Sequence, residues 1–500
     1  MIVGAQPLVA SIDVGTSGAR ATAFDLDGRA VFEVRRAYPI RAPRPGWAEQ
    51  DPEDWATAAL GAVRALVKRA GAVKAIGLTG QCPTIAPFDR NLRPIGPAML
   101  YRDNRAVDEA REMRDRLAAI DMHRRTGQLA EAFYAGPKVL WLRRHEPEQF
   151  AQTRVFLQPR DVVLHRLTGE VATDETHANC TLFFNLEGRR WDEGLFETFE
   201  LEPSLFPPAL APWTVGGELA PAAAAEVGLP PGLPVVVGGA DSLCLLYGAG
   251  VVDPGPVSEN AGSSSTINSA VLRPVDDLRV TNYSHVVRER YATELGLNTA
   301  GAALAWAVKV LGYPSYDALA EDAKRVRTRL RQQRADRVTT DIAPLFYPYL
   351  GDGERDNPDA RGAFVGLSDR HDRATLAFAV AEGVVLTTQG LVGILTDAGG
   401  ELTELRVAGG GTRLEFLGQL KADALGCPVI HLDVDAASLG TAMLAAQAVG
   451  FDDEASAAIE SAVRRGRRFE PTPVGSAIEA ERGSRFRTLG KSPAILEVTR

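Results

Sequence analysis

The apolar positions at the start of the chain predict an antiparallel meander of three strands. Residues 7–14 are a short, mostly apolar run with Asp13 near its end, as is typical of a buried strand. A Gly/Thr/Ser turn follows, and residues 19–24 alternate between apolar and polar positions as a second strand. A further Asp/Gly turn leads into a third strand at residues 30–34.

After the meander, the pattern changes to helices that alternate with strands, which predicts an α/β fold. Asp51 caps a helix that runs to about residue 70, and residues 73–79 form the next buried strand. The strand–turn–strand unit recurs about 250 residues later, from Gly255. We therefore expect two related domains, residues 1–251 and 252–500, with a polar surface tail that contains a short helix from about residue 467.

Composition and charge are those of a globular protein and disfavour several kinds of partner. Of the 500 residues, 45% are hydrophobic and 24% are charged, which suffices for large cores. The net charge of −9 disfavours general nucleic-acid binding, because that binding depends on clustered Lys and Arg. The four cysteines are far apart, and neither a signal-peptide pattern nor a run of 18 apolar residues occurs. We therefore expect a cytoplasmic protein without a membrane span.

The turn between the first two strands carries groups that can bind phosphate. Gly15, Thr16 and Ser17 offer backbone N–H groups and hydroxyls, and glycine permits a close approach of the backbone. Asp13 is suited to holding Mg²⁺ through water, because Mg²⁺ prefers oxygen ligands and keeps several waters. A plain hairpin turn is the alternative interpretation.

Two glycine-rich loops in the second half are further candidates. Gly262 and Ser263 lie in the second copy of the strand–turn–strand unit, where they would form an opposing phosphate loop. Gly410, Gly411 and Thr412 stand between a predicted strand and a predicted helix, as in loops that approach a nucleotide. Either loop taken alone also fits a purely structural turn.

One acidic residue follows a buried strand and opens a helix. Residues 235–237 are three valines, two glycines and Ala240 follow, and Asp241 comes next. In this place Asp241 can act as a general base that takes a proton from a substrate hydroxyl. A helix N-cap is the alternative, since Asp is a preferred capping residue.

Motifs in this order along the chain resemble those of the FGGY carbohydrate kinases, and within them the xylulokinase-like branch. The matching stretches are IDVGTSG at 12–18, WAEQDPEDW at 47–55, GLTGQ at 77–81, DNR at 103–105, PKVLW at 137–141, PRD at 159–161, GGAD at 238–241, GSS at 262–264, FYPYL at 346–350, GL at 366–367, AGGG at 408–411 and LG at 439–440. Each is weak alone, but their common order is specific.

The resemblance implies two ribonuclease-H-like domains of the actin and hexokinase type around a central cleft. It implies transfer of the γ-phosphate of ATP, with Mg²⁺, to a hydroxyl of a small sugar or polyol. By position, Asp241 matches the catalytic base and Asp13 the Mg²⁺-associated carboxylate. The three glycine-rich loops match the two phosphate loops and the adenosine-side loop, and residues 298–306 match a helix start near the nucleotide. Family members are often dimers, so a homodimer is an expectation by resemblance.

The sugar side departs from the xylulokinase pattern. Where xylulokinases usually carry Gln-Met-His, this chain has Gln81, Cys82 and Pro83. We expect the sugar near Cys82, Pro83, Asp103 and Asp241, with a buried ion pair as the alternative interpretation of Asp103. A pentulose such as D-xylulose is the first choice of substrate. Ribulose, glycerol and erythritol follow, and an actin- or chaperone-type ATPase is an alternative of another class.

Overall fold

The computed structural model describes residues 7–335, 343–351 and 360–490. The last ten residues of the predicted tail lie outside the described residues.

The described strands, in chain order, are β1 Leu8–Val14, β2 Gly18–Asp25, β3 Ala30–Ala37, β4 Glu49–Gln50, β5 Ile76–Gly80, β6 Ala86–Phe88, β7 Ala98–Met99, β8 Val155–Leu157, β9 Thr173–Asp174, β10 Phe184–Asn185, β11 Arg190–Trp191, β12 Ala209–Leu210, β13 Val215–Glu218, β14 Pro234–Ala240, β15 Gly255–Ala261, β16 Ser265–Val271, β17 Thr281–Ser284, β18 Tyr291–Leu297, β19 Leu345–Tyr347, β20 Ala363–Val365, β21 Leu402–Ala408, β22 Val429–His431 and β23 Arg467–Phe469.

The described helices are α1 Pro52–Ala70, α2 Val107–Arg116, α3 Ala119–Thr126, α4 Ala135–His145, α5 Pro147–Gln152, α6 Pro159–Thr168, α7 Glu175–Asn179, α8 Glu193–Phe199, α9 Pro221–Val227, α10 Asp241–Gly248, α11 Gly301–Val310, α12 Tyr316–Ala335, α13 Arg373–Asp397, α14 Glu415–Leu425, α15 Ala436–Ala448, α16 Asp452–Arg465 and α17 Pro473–Gly490. Short 3-10 segments occupy Pro203–Leu205 and Gly410–Arg413.

The chain forms two compact units, each built from separate stretches of sequence. Unit 1 consists of Met1–Val252, Val271–Ala292 and Val434–Arg464. Unit 2 consists of Asp253–Ala270, Thr293–Asp433 and Arg465–Arg500. The chain first leaves unit 1 beside the predicted boundary between residues 251 and 252, and two later segments return to unit 1. The assignment of sugar and nucleotide binding to two domains stays a prediction.

Unit 1 contains a mixed sheet of six strands in the order β13-β14-β5-β1-β2-β3. Strands β1, β2 and β3 form the predicted antiparallel meander, and β5 and β14 add in parallel to β1. Asp51 caps α1 by accepting a hydrogen bond from the backbone N–H of Glu53, as predicted. The core between sheet and helices is apolar, with Ile12, Trp55 and Val235 fully buried.

Unit 2 repeats this arrangement of strands. Strands β15 and β16 are antiparallel, β21 and β22 add in parallel on the other side of β15, and β23 closes that side in the antiparallel sense. The predicted recurrence of the opening strand–turn–strand unit is therefore confirmed. Both units are α/β, as the sequence predicts.

Helix α13 is the most apolar long helix among the described residues. Its 25 residues are long and apolar enough to cross a membrane, but 72% of its most apolar window is buried inside the protein. It packs in the core of unit 2, where Phe378 and Val385 are fully buried. This burial accounts for its apolar composition.

The segment from residue 467 differs from the predicted surface tail. Residues Arg467–Phe469 form β23, an edge strand of the sheet, and α17 follows. Helix α17 buries Phe486 and also Arg482, whose guanidinium pairs with the buried Glu382 of α13. The polar composition led to the expectation of a surface tail, but Arg482 lies in a buried ion pair and not in solvent.

Candidate active site

Three parallel strands of unit 1 end at the same edge of the sheet. Val14 of β1 and Ala240 of β14 are both in register with Gly80 of β5, which lies between them. The residues next to these positions are the predicted Asp13, the Gln-Cys-Pro segment from residue 81 and Asp241. In open α/β sheets, ligands bind at the carboxyl ends of parallel strands, so this edge is the candidate active site of unit 1.

Asp241 lies at the junction of β14 and α10. Ala240 occupies the capping position and Asp241 is the first helical residue, so the N-cap alternative does not describe its place. Its Oδ1 accepts a hydrogen bond from the backbone N–H of Ser242 at 2.8 Å, and its side chain is partly exposed. The preceding Gly238 has φ +66°, and a Cβ there would lie 1.7 Å from the carbonyl oxygen of Leu78. Glycine is therefore required for the bend that leads to Asp241.

The loop between β1 and β2 is held through its carbonyl groups. The N–H of Gly15 donates to the carbonyl of Gly18 at 3.1 Å, which closes the turn. The Tyr38 hydroxyl donates to the carbonyl oxygen of Gly15, and the Gln50 amide donates to that of Thr16 at 2.7 Å. Ser17 is exposed at the tip of the turn. Hydrogen bonds from Tyr38 and Gln50 thus hold the loop in place, and the exposed Ser17 hydroxyl can contact a ligand.

Gln50 connects this loop to the end of β5, a role that the sequence analysis missed. Its side-chain oxygen accepts hydrogen bonds from the indole of Trp55 at 2.9 Å and from the amide of Gln81 at 2.8 Å. Gln50 and Trp55 are both buried. The WAEQDPEDW motif therefore joins two parts of the candidate site, but its spacing alone does not reveal which atoms it would join.

Asp13 is paired with an arginine that the sequence analysis left without a role. Arg20 donates to Asp13 at 2.7 Å and also contacts Asp435, the residue that caps α15. Burial raises the pKa of the Asp13 carboxyl, against the lowering effect of Arg20. Within the residues that the structure describes, Oδ1 of Asp13 has no hydrogen-bond partner. An acceptor in this state fits a water bound to Mg²⁺, since such a water donates hydrogen bonds.

No cluster of three or more His, Cys, Asp or Glu side chains that could hold a metal ion occurs among residues 7–335, 343–351 and 360–490. A single carboxylate such as Asp13 suits Mg²⁺, which is usually bound by one or two carboxylates together with waters and phosphate oxygens.

The Gln-Cys-Pro segment forms the part of the edge between Asp13 and Asp241. Cys82 is partly exposed, and its thiol lies 3.6 Å from the side-chain oxygen of Gln158 and contacts the Cys180 thiol. Burial is the largest cause that raises the pKa of the Cys82 thiol, and the contact with Cys180 raises it further. Pro83 is buried. Lys138 is buried and donates to the carbonyl of Phe133 at 2.8 Å. Burial lowers the pKa of Lys138, and Cys82 lies close enough for the electrostatic effect of its thiol to oppose this larger lowering.

Asp103 has the contacts of a buried ion pair. One of its oxygens accepts from the backbone N–H of Ala48 at 2.6 Å, and both oxygens accept from Arg105. Arg105 also donates to Glu49 at 2.6 Å and lies 3.5 Å over the ring of Trp47. Asp103 is completely buried. This geometry favours the alternative interpretation of Asp103, while sugar contact by Asp103 stays a prediction.

In unit 2, the two predicted loops lie side by side. Asn260 of β15 and Ala408 of β21 are partners in parallel strands, and the loops with Gly262 and Gly410 follow these residues. A Cβ on Gly411 would lie 2.6 Å from the Cβ of Ala261, so glycine permits this close approach. The predicted second phosphate loop and adenosine-side loop are therefore adjacent.

The start of α11 is bound to the second loop. The backbone N–H groups of Ala300 and Ala302 donate to the carbonyl oxygen of Ser263, and that of Gly301 donates to Gly262. A Cβ on Gly301 would lie 2.4 Å from this Gly262 oxygen. The predicted helix start at residues 298–306 thus braces the loop with its first N–H groups.

Three polar contacts support the loops of unit 2. Lys421 pairs with Glu259 at 2.5 Å, and Glu259 also accepts from the hydroxyl of Ser265 at 2.9 Å. Nδ1 of His431 donates to the carbonyl oxygen of Thr412 at 3.0 Å. Burial and the nearby Lys421 lower the pKa of His431 to about 4. His431 is therefore neutral near pH 7 and serves as a fixed donor to the loop.

Each half of the chain matches a model of a known protein family. Residues 8–248 match the model of the FGGY family of carbohydrate kinases, N-terminal domain, and residues 259–449 match that of the C-terminal domain. A xylulose kinase from Klebsiella pneumoniae is 32% identical over 449 residues, which is 88% of this chain and 89% of the relative. A glycerol kinase from Symbiobacterium thermophilum is 30% identical over 493 residues, 95% of each chain.

A solved structure is similar over nearly the whole chain. The crystal structure of xylulose kinase from Rhodospirillum rubrum has a TM-score of 0.87 at 29% identity, and the match covers 97% of this chain and 98% of that one. The two family models together span most of the sequence, in the order and at the places where the two strand–turn–strand units lie. The chain belongs to the FGGY family of carbohydrate kinases.

Proposed function

We propose that the protein transfers the γ-phosphate of ATP to a hydroxyl of a small ketose or polyol, with a pentulose such as D-xylulose as the first candidate. The observation that carries this proposal is the position of Asp241 at the shared strand edge of unit 1, in a chain of this family. Asp241 is partly exposed and follows β14, which ends at the same sheet edge as β5, the strand before Cys82, and as β1, the strand that carries Asp13.

In the proposed reaction, the carboxylate of Asp241 accepts the proton of the sugar hydroxyl. The oxygen of that hydroxyl attacks the γ-phosphorus, the bond from this phosphorus to the bridging oxygen breaks, and ADP leaves. Strands β14 and β1 are separated by β5, so the end of the strand before Asp241 and the strand that carries Asp13 lie roughly 10 Å apart. The sugar hydroxyl and the γ-phosphoryl group are proposed to lie between the two carboxylates.

The remaining site residues are proposed to bind the nucleotide. Gly15, Thr16 and Ser17 would contact phosphate through N–H groups and hydroxyls, as would Gly262 and Ser263. Gly410, Gly411 and Thr412 would lie on the adenosine side. Mg²⁺, when bound, would be held through water by Asp13 and would neutralise charge on the phosphate oxygens.

The sugar is proposed to contact the segment of Cys82 and Pro83. Pro83 has no backbone N–H, and the Cys82 thiol is a weak donor, so few hydrogen bonds to the sugar can come from these two residues. Sites that hydrogen-bond a particular hydroxyl pattern reject others strongly. We therefore expect this segment to determine which ketose or polyol is accepted.

A screen of ADP release with xylulose, ribulose, glycerol, erythritol and gluconate tests the proposal. We expect one pentulose to give the highest kcat/KM, with formation of one equivalent of sugar phosphate per ADP. The 30% identity to a glycerol kinase supports glycerol as the second candidate. ATP hydrolysis that no acceptor stimulates would contradict a kinase and favour an ATPase. A cytoplasmic location and a homodimer stay predictions.

A further inference from the structure

The strand that leads to Asp241 is irregular just before it reaches the site. The register between β14 and β5 shifts between Val236 and Gly239, so the regular ladder does not continue evenly to the strand end. Two side-chain hydroxyls bind the backbone at this point. Thr79 donates to the carbonyl oxygen of Gly239 at 2.8 Å, and the N–H of Ala240 donates to the hydroxyl of Thr176 at 2.7 Å.

These two hydrogen bonds hold the two ends of one peptide unit. The carbonyl of Gly239 and the N–H of Ala240 belong to the same planar group, and a peptide group held at both ends cannot rotate. We call Thr79 and Thr176 the hydroxyl clamp. Asp241 follows Ala240, so holding this peptide group fixes the backbone from which the segment with Asp241 continues into α10.

The orientation of the Thr176 hydroxyl is fixed because its proton is donated to a neighbouring carboxylate. Thr176 donates this proton to Asp174, which leaves an oxygen lone pair for the N–H of Ala240. Asp174 in turn accepts from the backbone N–H of Thr176 at 2.7 Å and from Nδ1 of His177 at 2.6 Å, and it pairs with Arg160 at 3.2 Å.

The carboxylate of Asp174 is ionised near pH 7, so it can accept the hydrogen bond from the Thr176 hydroxyl. Burial alone would raise the pKa of its carboxyl, but His177 and Arg160 outweigh burial and lower the pKa to about 2. Thr79, Thr176 and Asp174 are each completely buried. Water therefore cannot replace a lost hydroxyl, and an unpaired buried N–H is costly.

We propose that the hydroxyl clamp, with Thr176 oriented by Asp174, positions Asp241 for proton transfer. This inference rests on the proposed function of Asp241 as the base. Thr176 acts through the backbone before Asp241 and not on the substrate, so it is a positioning residue. Misplacement of a reacting group by about 1 Å can cost roughly 100-fold in rate.

The test replaces the hydroxyl and leaves the shape. Thr176→Val removes both hydrogen bonds of the side chain, and Thr176→Ser keeps them. We expect Thr176→Val to lower kcat by about 10- to 100-fold with the KM for ATP within about twofold, and Thr176→Ser to stay within about threefold of the wild type. Thr126→Val is the matched control, because Thr126 is equally buried in unit 1 and its hydroxyl donates within its own helix to Met122.

Hydrogen–deuterium exchange measures the clamp directly. In Thr176→Val, amides in peptides that span residues 236–246 should exchange faster than in the wild type, and Thr126→Val should leave this segment unchanged. If Thr176→Val is not folded, Thr79→Val removes the other hydrogen bond of the clamp, and the same loss of kcat and faster exchange are expected.

The outcomes separate this inference from the proposed function. Wild-type kcat in folded Thr176→Val would overturn the clamp, as would a loss that Thr176→Ser shares or a loss without faster local exchange. In each case, an inactive Asp241→Asn variant would leave the proposed base standing. Wild-type turnover in Asp241→Asn would instead overturn the base, and the clamp with it.

Discussion

A single methyl group added to α15 should displace the helix that begins at Asp241. Gly440 of α15 packs against α10 in unit 1, and a Cβ on Gly440 would lie 2.0 Å from the carbonyl oxygen of Cys244. It would also lie 2.8 Å from the N–H nitrogen of Gly248. Real Cβ contacts are essentially never shorter than 3.0 Å, so Gly440→Ala requires the two helices to separate by about 1 Å.

The expected cost has two parts. Overpacking of a buried contact destabilises by about 1–3 kcal/mol, and both neighbours here are backbone atoms that cannot rotate away. Cys244 lies one helical turn after Asp241, so a shift of about 1 Å in α10 moves the proposed base by a similar distance. Such a shift is expected to lower kcat by roughly 100-fold.

Gly61→Ala is the matched control. Gly61 lies inside α1 of the same unit, and a Cβ there would meet no atom within 4 Å. Replacing an interior helical glycine by alanine should therefore stabilise the protein by about 0.5–1 kcal/mol and leave kcat unchanged. Urea unfolding and kcat at saturating substrates measure both effects. A Gly440→Ala protein as stable and active as Gly61→Ala would refute the reasoning.

Two buried basic groups, His431 and Lys138, should make the free energy of unfolding depend on pH, the first in acid and the second above pH 7. The pKa of His431 is about 4 in the folded protein, against an ordinary value of 6.5. Between these pH values the unfolded chain binds a proton that the folded protein does not. The free energy of unfolding therefore falls by about 3 kcal/mol as the pH drops from 6.5 to 4. His431→Gln should remove this fall in urea unfolding, and an unchanged pH profile would contradict the assignment. Burial lowers the pKa of Lys138 to about 7 from 10.5, so stability should rise above pH 7, by about 2–3 kcal/mol up to pH 9. Lys138→Met should flatten that rise, and a variant with the wild-type slope would show that Lys138 is not the titrating group.

The sequence allowed the elements that carry the site to be predicted, because their signals are local. Apolar runs that end in glycine mark the strand before Asp241 and the strand before Gly410, and the register of parallel strands brings such ends together. The recurrence of the strand–turn–strand unit likewise depends on residues close in sequence.

The contacts that orient the site could not be predicted, because they join residues far apart in sequence. Thr176 reaches the backbone of Ala240 across 64 positions, and Arg20 reaches Asp435 across 415. A threonine or an arginine has the same local signature whether it faces solvent or such a partner. Membership of residues 434–464 in unit 1 follows from the same long-range packing, which includes the glycine contact of α15 with α10.

The most direct test of the account follows labelled γ-phosphate from ATP to the best acceptor of the screen, in the wild type and in Asp241→Asn. The substitution removes the proton-accepting carboxylate and keeps the size of the side chain. We expect Asp241→Asn to bind ATP with unchanged affinity and to transfer phosphate at least 100-fold more slowly, in line with the usual contribution of a general base of about 10²–10⁴-fold. Transfer at the wild-type rate by the folded variant would contradict the central claim.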